Sequence, residues 1–314
     1  MSIQTRPVPR KQLMIATGRF DRMVALDNLA AAWAKVKGNN GAAGGDGVTC
    51  EAFAGDAARR LEQLRRALAC GTYRPGPLRN VPIPKPSGGE RTLSIPCIVD
   101  RIAQTAVLNE IVPALDARMS QASFAYRPGR SVAQALALAR KKIRGGAGWV
   151  VDADIERFFD SVPHEALAQE LAIWIDDLRL YRLAMLWVRT LSRGGVGLPQ
   201  GAPLSPLLAN HYLHPLDRML AVAGIGAVRH ADDFVLLCAS EQAAWRAKRV
   251  VEKLLAHRGL TLDKARTRVA GPGEDVVFPG ELLAPRAVPG WMARIWAWLA
   301  GWRNRRMRGG RSNA

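Results

Sequence analysis

Two adjacent aspartates interrupt a run of apolar residues near position 230, and no other feature constrains the fold of this chain as strongly. In "AVRHADDFVLLC" (227–238), Asp232 and Asp233 lie between two segments that have the composition of buried β-strands. The pattern predicts a β-hairpin with both carboxylates at its tip. Carboxylates packed together against a sheet repel one another and lose hydration, so they favour a compensating cation. Taken alone, such a pair is more often an ordinary exposed turn.

A second acidic cluster lies 78 residues upstream of the hairpin, in "VVDADIERFFDSV" (150–162). Asp152 and Asp154 are two residues apart at the end of a β-like run, so they share one face of the predicted strand. Either can join the hairpin carboxylates if the two strands are neighbours in one sheet. Mg²⁺ prefers oxygen ligands and keeps coordination positions open for phosphates, and two such ions support in-line attack by a 3′-hydroxyl with departure of pyrophosphate.

The composition indicates a globular protein with a polyanionic partner. Hydrophobic residues make up 48% of the 314 residues, and 45 Lys and Arg against 27 Asp and Glu leave a net charge of +18. An excess this large in a folded chain is typical of nucleic-acid binding. The four cysteines are widely spaced, and the chain carries neither a P-loop nor an HExxH motif, which argues against a zinc site and an ATPase. No signal peptide or membrane span is predicted, so we expect a cytoplasmic protein.

The hydrophobic periodicity predicts a mixture of helices and short strands. Helices are expected at 20–37, 51–70, 98–119, 132–144, 165–192, 206–221 and 241–258. Strands are expected at 79–83, 91–95, the beginning of 148–162, both arms of 227–238, 260–263 and 275–283. This order favours an α+β fold in which a small antiparallel sheet carries packed helices.

Six blocks in order resemble the bacterial reverse transcriptases, most closely the group II intron-type lineage. They span about residues 40–283 and are "GGDGVT", "VPIPKPSGGERTLSIPCIVDRIAQ", "SFAYRPGRSVAQAL", "VVDADIERFFDSVPHEAL", "GLPQGAPLSPLLANHYLHPLD" and "RHADDFVLLC". The resemblance implies a right-hand polymerase fold with fingers and palm and a truncated helical thumb. It implies fingers from roughly 76–147 and 166–204, and a palm from the remainder up to about 285.

The resemblance also assigns roles to individual residues. It implies that a pair of Mg²⁺ ions, or Mn²⁺ as a substitute, is bound by the catalytic carboxylates of Asp154, Asp232 and Asp233 and by the backbone carbonyl of Ile155. It implies a dNTP pocket formed by Lys85 and Arg91 at the triphosphate, Phe159 as an aromatic gate against a 2′-hydroxyl, and Gln200. From the residues alone, Lys85 and Arg91 are equally compatible with solvated charges of a hairpin, and Phe158 and Phe159 with core positions.

Three positions depart from the family pattern. His230 stands where an aromatic residue, most often tyrosine, precedes Ala-Asp-Asp. Arg266 replaces the usual lysine in "LTLDKARTRV", which keeps the charge but substitutes a planar fork for a compact ammonium. Pro279 stands in place of leucine in "FPGELL", the segment that resembles the primer grip.

The predicted domain organisation has three parts. Residues 1–75 form an N-terminal extension of helices and a Gly-rich loop, and 76–285 form the fingers and palm. Residues 286–314 form a short Trp- and Arg-rich helix with a basic tail, in which Trp291, Trp298 and Trp302 recur at helical spacing. That stripe is either a vestigial thumb that packs on the duplex or an apolar face that packs on the palm or a partner.

The sequence therefore predicts an RNA-directed DNA polymerase that extends a DNA or RNA primer on an RNA template with dNTPs. A cognate structured RNA and partner proteins are further candidate partners, and CRISPR-associated or other antiviral defence enzymes share this compact size. Two alternatives stay open: a repurposed, maturase-like RNA-binding module, and a template-independent or protein-primed DNA polymerase in phage defence. No membrane partner is expected.

Overall fold

The computed structural model describes residues 18–84, 89–192 and 194–283, which form α-helices and two antiparallel sheets. The helices are α1 (Arg19–Met23), α2 (Leu26–Gly38), α3 (Cys50–Ala54), α4 (Ala57–Ala69), α5 (Ile98–Asp116), α6 (Val132–Arg144), α7 (Phe158–Ser161), α8 (His164–Trp174), α9 (Leu178–Leu191), α10 (Ser205–Val222) and α11 (Glu241–Ala256). The strands are β1 (Arg79–Pro84), β2 (Glu90–Ile95), β3 (Trp149–Ala153), β4 (Gly226–His230), β5 (Asp233–Cys238) and β6 (Arg268–Ala270).

The larger sheet has four strands in the order β4-β5-β3-β6, and every pairing in it is antiparallel. Strand β3 is central, with β5 on one side and β6 on the other. Strands β1 and β2 form a separate two-stranded sheet. The α+β prediction is confirmed, because helices precede, separate and cover a small antiparallel sheet.

Both faces of the four-stranded sheet are covered. On one face, Val151, Phe234 and Leu236 pack with the apolar sides of helices such as α10 and α11 in the main hydrophobic core. On the other face, Val150 and Val235 pack with α6 and the segment 276–283 in a second, smaller core. Successive side chains of a strand point to opposite faces, so one strand supplies both cores.

The described part of the N-terminal extension belongs to the main core rather than to an independent unit. Apolar residues of α1–α4 pack in the same cluster as α5 and α9. The buried phenol of Tyr73 donates a short hydrogen bond to Asp100 and accepts one of 2.8 Å from the Trp187 indole N–H. The Gly76 N–H donates to the other oxygen of Asp100 at 3.0 Å. These bonds connect the end of the extension to α5 and α9.

Most predicted elements are present, and the differences are local. The helix expected at 20–37 is interrupted at Val24 and Ala25, and Ala25 has an extended ψ of 139°. The segment 51–70 divides at 55–56 into α3 and α4. The strands expected at 260–263 and 275–283 are reduced to single β-bridges, Ile155 with Leu262 and Val277 with Leu282. The Trp-rich helix predicted after residue 285 lies outside the described residues.

Among the described residues, no helix is both long and apolar enough to cross a bilayer.

Asp177 offers a test of how the extension is attached. Its carboxylate is fully buried and caps α9 by accepting from the N–H groups of Arg179 and Leu180, and it also accepts from the Phe20 N–H at 3.2 Å. We expect Asp177→Ala to lower the free energy of unfolding by about 2 kcal/mol, because it removes a helix cap and a buried acceptor. Urea denaturation followed by circular dichroism measures the change.

The neighbouring residue provides the control. Asp176 is half exposed and pairs with Arg19 at 3.6 Å, an arrangement worth little in water. Asp176→Ala should cost less than about 1 kcal/mol, and equal losses for the two variants would contradict the role of Asp177.

Candidate active site

The register of the central sheet brings the two acidic clusters together. Ala153 is paired with Phe234, so one further residue in each direction places Asp154 opposite Asp233. Neighbouring strands are separated by about 4.8 Å, so the backbones of Asp154 and Asp233 lie about that far apart at one end of the sheet. By strand alternation, Asp154 and Asp233 project on the same face, which Asp152 shares. A metal-binding cluster requires that the two strands with these acidic residues are neighbours in one sheet, and the register shows that they are.

The hairpin tip is a two-residue turn with a strained backbone. His230 and Asp233 form the last strand pair, so Ala231 and Asp232 make the turn. Ala231 has a left-handed φ of 62°, a conformation that favours glycine and costs free energy for a residue with a Cβ. Strain of this kind persists only where surrounding contacts maintain it, and it is frequent at functional sites.

Burial raises the pKa of all three predicted catalytic carboxyls, and repulsion between carboxylates adds to the effect at Asp154 and Asp233. Burial raises the pKa of Asp154 to about 6, assisted by the charge of Asp232. Burial raises the pKa of Asp233 to about 7, and the charges of Asp152, Asp154 and Asp232 add to the effect. The pKa of Asp232 is also raised, mainly by burial. Full ionisation of these carboxyls at neutral pH is therefore unfavourable without a counter-ion. This is expected where a cation binds.

Two arginines from the segment after α11 partly neutralise this charge. The Arg266 guanidinium forms a close ion pair with Asp154, and Arg268 lies 3.6 Å from the carboxylate of Asp152. In the described part of the chain, no three carboxylate, imidazole or thiolate side chains are already arranged to hold a metal ion. The donor types suit Mg²⁺, and Arg266 occupies one of the three predicted ligands.

A buried ionic network supports the turn from beneath, and the sequence analysis did not find it. Arg229, which is 1% exposed, binds both carboxylate oxygens of Asp217 at 2.8 and 2.6 Å. Its Nη1 also donates to the Asn210 side-chain oxygen at 2.9 Å and to the Ala231 carbonyl at 2.8 Å. The guanidinium therefore holds the residue whose backbone is strained. The signal in the sequence was an arginine inside an otherwise apolar strand.

Backbone hydrogen bonds attach the loop that contains Gln200 to Phe159 on one side and to strand β2 on the other. The Leu198 N–H donates to the Phe159 carbonyl at 2.6 Å, and the Ser94 N–H donates to the Gln200 carbonyl at 2.6 Å. Gly201, with φ 111°, lies so close to β2 that a Cβ there would be 2.8 Å from the Ser94 carbonyl oxygen. The loop that contains Gln200 therefore packs between Phe159 and the strand that carries Arg91.

The remaining predicted residues differ in how they are placed. Arg91 is exposed on β2, where it pairs with Ile83. The Ile155 side chain is buried and its backbone forms the bridge to Leu262. Lys85 lies outside the described residues. Phe159 is partly buried and contacts the ring of the core residue Phe158 edge to face at 5.7 Å.

Two of the three departures from the family pattern lie near the acidic site. His230 ends β4, and burial lowers its pKa, which favours the neutral imidazole. Arg266 forms the ion pair with Asp154 described above. Pro279 lies in a tight turn closed by a 2.8 Å hydrogen bond from the Phe278 N–H to the Glu281 carbonyl, which folds 276–283 against the second core.

An antiparallel sheet with an Asp-Asp turn, and with a third aspartate directly after the adjacent strand, is the arrangement that the sequence analysis predicted for a nucleic-acid polymerase. Comparison with known families assigns the chain more narrowly. Residues 83–280, more than half of the chain, match the family described as "Reverse transcriptase (RNA-dependent DNA polymerase)". The chain belongs to this family, and the predicted resemblance is confirmed.

Among curated relatives, Protein YkfC of Escherichia coli (strain K12) is 34% identical over 193 residues, which cover 56% of this chain and 49% of that protein. The group II intron-encoded protein LtrA of Lactococcus lactis subsp. cremoris is 30% identical over 190 residues, covering 58% of this chain and 32% of LtrA. The aligned parts thus span half or less of these relatives. A solved apo telomerase from Candida tropicalis, 14% identical, has a TM-score of 0.50 over 65% of this chain and 52% of its own, which supports the fold alone.

The raised pKa of Asp233 leads to a pH-dependent prediction. Since this pKa is about 7 in the folded protein and close to 4 in an unfolded chain, the ionised carboxylate destabilises the fold as pH rises from about 4 through 7. We expect Asp233→Asn to stabilise the metal-free protein, with a gain at pH 8 that exceeds the gain at pH 5 by about 1–3 kcal/mol. Urea denaturation in EDTA at both pH values measures it.

Asp275→Asn, at an exposed position, reports the effect of the same change in net charge without burial. If Asp233→Asn destabilises the protein at pH 8, or stabilises it equally at both pH values, the proposed electrostatic repulsion at the turn is wrong.

The Arg229–Asp217 pair can be tested by a double-mutant cycle. Arg229→Met leaves the Asp217 carboxylate buried without its partner, which should cost about 3–5 kcal/mol of unfolding free energy. Adding Asp217→Leu removes that uncompensated charge, so the double variant should be more stable than Arg229→Met alone. Additive losses in chemical denaturation would show that the two side chains act independently.

Proposed function

We propose that this protein is an RNA-directed DNA polymerase that adds deoxynucleotides to a primer 3′-hydroxyl by a two-metal-ion mechanism. One observation carries the proposal. In a chain of the reverse transcriptase family, the β3–β5 register brings Asp154 to the turn that contains Asp232 and Asp233. Carboxylates with raised pKa that converge at a strand end form a suitable site for divalent cations.

In this proposal, the carboxylates of Asp154, Asp232 and Asp233, with the backbone carbonyl of Ile155, hold two Mg²⁺ ions. When bound, such ions activate the attacking hydroxyl and stabilise the charge of the leaving pyrophosphate. The protein contributes the geometry: β3 and β5 set the spacing, and Arg229 fixes the turn through the Ala231 carbonyl. Arg266 must release Asp154 before that carboxylate can act as a ligand, so the guanidinium competes with the cation.

The same proposal gives the neighbouring residues roles toward the incoming nucleotide. Arg91, with Lys85, contacts the triphosphate through charge-assisted hydrogen bonds. Phe159 packs beneath the sugar and disfavours a 2′-hydroxyl, and Gln200 lines the pocket. The β1–β2 sheet and its adjoining helices correspond to fingers, and the four-stranded sheet corresponds to a palm.

The charge of the chain supports a nucleic-acid substrate. A net charge of +18 suits a template–primer duplex held through its phosphates, with 2′-hydroxyls contacted in the wide minor groove of an A-form helix. Affinity for such a duplex should fall steeply with added salt. A structured RNA and partner proteins are further candidates for assembly with this chain.

Primer extension tests the proposal directly. We expect the protein to extend oligo(dT) on poly(rA) with dTTP and Mg²⁺, and Asp232→Ala to lower the rate at least about a thousandfold because it removes a metal ligand. Gel analysis of extended primer measures both rates. Asp275→Ala, which removes an exposed carboxylate, should retain activity.

RNA binding without extension in either Mg²⁺ or Mn²⁺ would contradict the proposal and favour the maturase-like module. Synthesis that needs no added primer would instead favour the template-independent or protein-primed alternative.

A further inference from the structure

The start of the block "SFAYRPGRSVAQAL", to which the sequence analysis assigns no individual role, runs beside the hairpin that carries the aspartates. Ser123 forms a parallel β-bridge with Arg229. The Arg229 N–H donates to the Ala122 carbonyl at 2.7 Å, and the Phe124 N–H donates to the Arg229 carbonyl at 3.0 Å. The segment 122–126 and strand β4 therefore advance in the same direction, toward the tip of the hairpin.

Both segments end in a turn shortly after the bridge. Tyr126 is three residues after Ser123, and Asp232 is three residues after Arg229, the bridge partner of Ser123. The parallel bridge therefore brings the turn that contains Tyr126 to the same end of β4 as the turn that contains Asp232.

One hydrogen-bonded chain fixes the two positions relative to each other. Asn210 donates from its side-chain nitrogen to the Ala125 carbonyl, and its side-chain oxygen accepts from Arg229 at 2.9 Å. The same guanidinium nitrogen donates to the Ala231 carbonyl at 2.8 Å. The buried Asn210–Arg229 pair thus connects the residue before Tyr126 with the residue before Asp232.

The backbone of Tyr126 is strained, and its neighbours maintain the strain. Its φ of 58° is left-handed, which is rare for a residue with a bulky side chain. Ala125 and Arg127 on either side are both buried. Arg127 donates to the carbonyls of Ser120 and Ser123 at 2.6 and 2.7 Å and pairs with Asp116 at 2.6 Å. The frame is rigid, so the direction of the phenol is set by the protein.

The side chain itself is 56% exposed, although its frame is buried. Among the described residues, none forms a hydrogen bond with the Tyr126 hydroxyl. The phenol lies within electrostatic range of both Asp232 and Arg91, whose charges act on it in opposite directions. A strained, exposed, polar group with no protein partner among the described residues, in a turn beside the one that contains Asp232, is arranged to meet a ligand.

We propose that Tyr126 is a nucleotide-binding residue whose hydroxyl donates a hydrogen bond to the triphosphate of the incoming nucleotide beside Asp232. This inference rests on the proposed polymerase function and adds a contact that none of the sequence blocks assigned. A triphosphate held by cations at the Asp232 turn comes close to this phenol, and a hydroxyl is a short, uncharged donor suited to a phosphate oxygen.

The test compares Tyr126→Phe with the parent protein. Dissociation constants for dTTP are measured by fluorescence titration on a poly(rA)/oligo(dT) complex whose primer ends in a dideoxynucleotide, so that binding is read without chemistry. We expect the constant to rise about tenfold, because a hydrogen bond to a charged group is lost. The KM for dTTP and the inhibition constant of pyrophosphate should rise with it, while kcat changes little.

The controls separate this contact from structural effects. Tyr181→Phe removes a phenolic oxygen from α9 and should leave dTTP binding unchanged. Tyr126→Phe should keep the parent melting temperature, the parent affinity for the template–primer and the parent Mg²⁺ dependence. The inference is overturned if Tyr126→Phe binds dTTP and pyrophosphate as the parent does, or if it alters only template–primer affinity or Mg²⁺ dependence.

The failure of the proposed function has a different signature. A parent protein that neither extends the primer nor binds dTTP would overturn both proposals. An active parent with an unaffected Tyr126→Phe variant would overturn this inference alone.

Discussion

The antiparallel pairing of β3 with β5 determines where charge accumulates in this protein. It places Asp154 opposite Asp233, so that carboxyls from two distant parts of the chain repel one another at one sheet end. Burial, reinforced by this repulsion, raises the pKa of Asp154 to about 6 and that of Asp233 to about 7. Apolar cores on both faces of the sheet stabilise a pairing that these charges oppose. The fold and the proposed site are therefore linked, because packing energy maintains an arrangement that the charges alone would disperse.

Arginine side chains moderate this repulsion in two different environments. Arg229 is buried, satisfied by Asp217, Asn210 and a backbone carbonyl, and it holds the turn. Arg266 is largely exposed and pairs with the buried Asp154, so the guanidinium can move into solvent, whereas the carboxylate then needs another cation. Separating the fully buried Arg229–Asp217 pair would instead leave both charges buried without a partner. This difference suits a permanent support beneath the turn and a replaceable counter-ion at its carboxylates.

Much of the fold was predictable because local signals were strong. The apolar runs around Asp232 and Asp233 predicted the hairpin, and Ser131 with Gln134 forms the capping box that begins α6 at Val132, as the periodicity indicated. The interruption of the first helix at Val24 and Ala25 was missed, since no proline or glycine marks it. The strand predicted at 260–263 was also wrong. Only a single bridge forms there, because the chain turns back at Asp263, whose side chain accepts from the Ala265 and Arg266 N–H groups.

The sequence by itself determined the chemistry of the site: which residues carry carboxylates, that Asp152 and Asp154 share a strand face, and which family the ordered blocks resemble. Only the tertiary structure decided which carboxylates meet, because strand register depends on contacts between residues about 80 positions apart. It also decided the positions of Tyr126, Asn210 and Arg229. Their relation to the hairpin comes from a parallel bridge and buried hydrogen bonds between segments that no local pattern connects. The sequence states which side chains are present, whereas the packing of the core decides which of them lie close together.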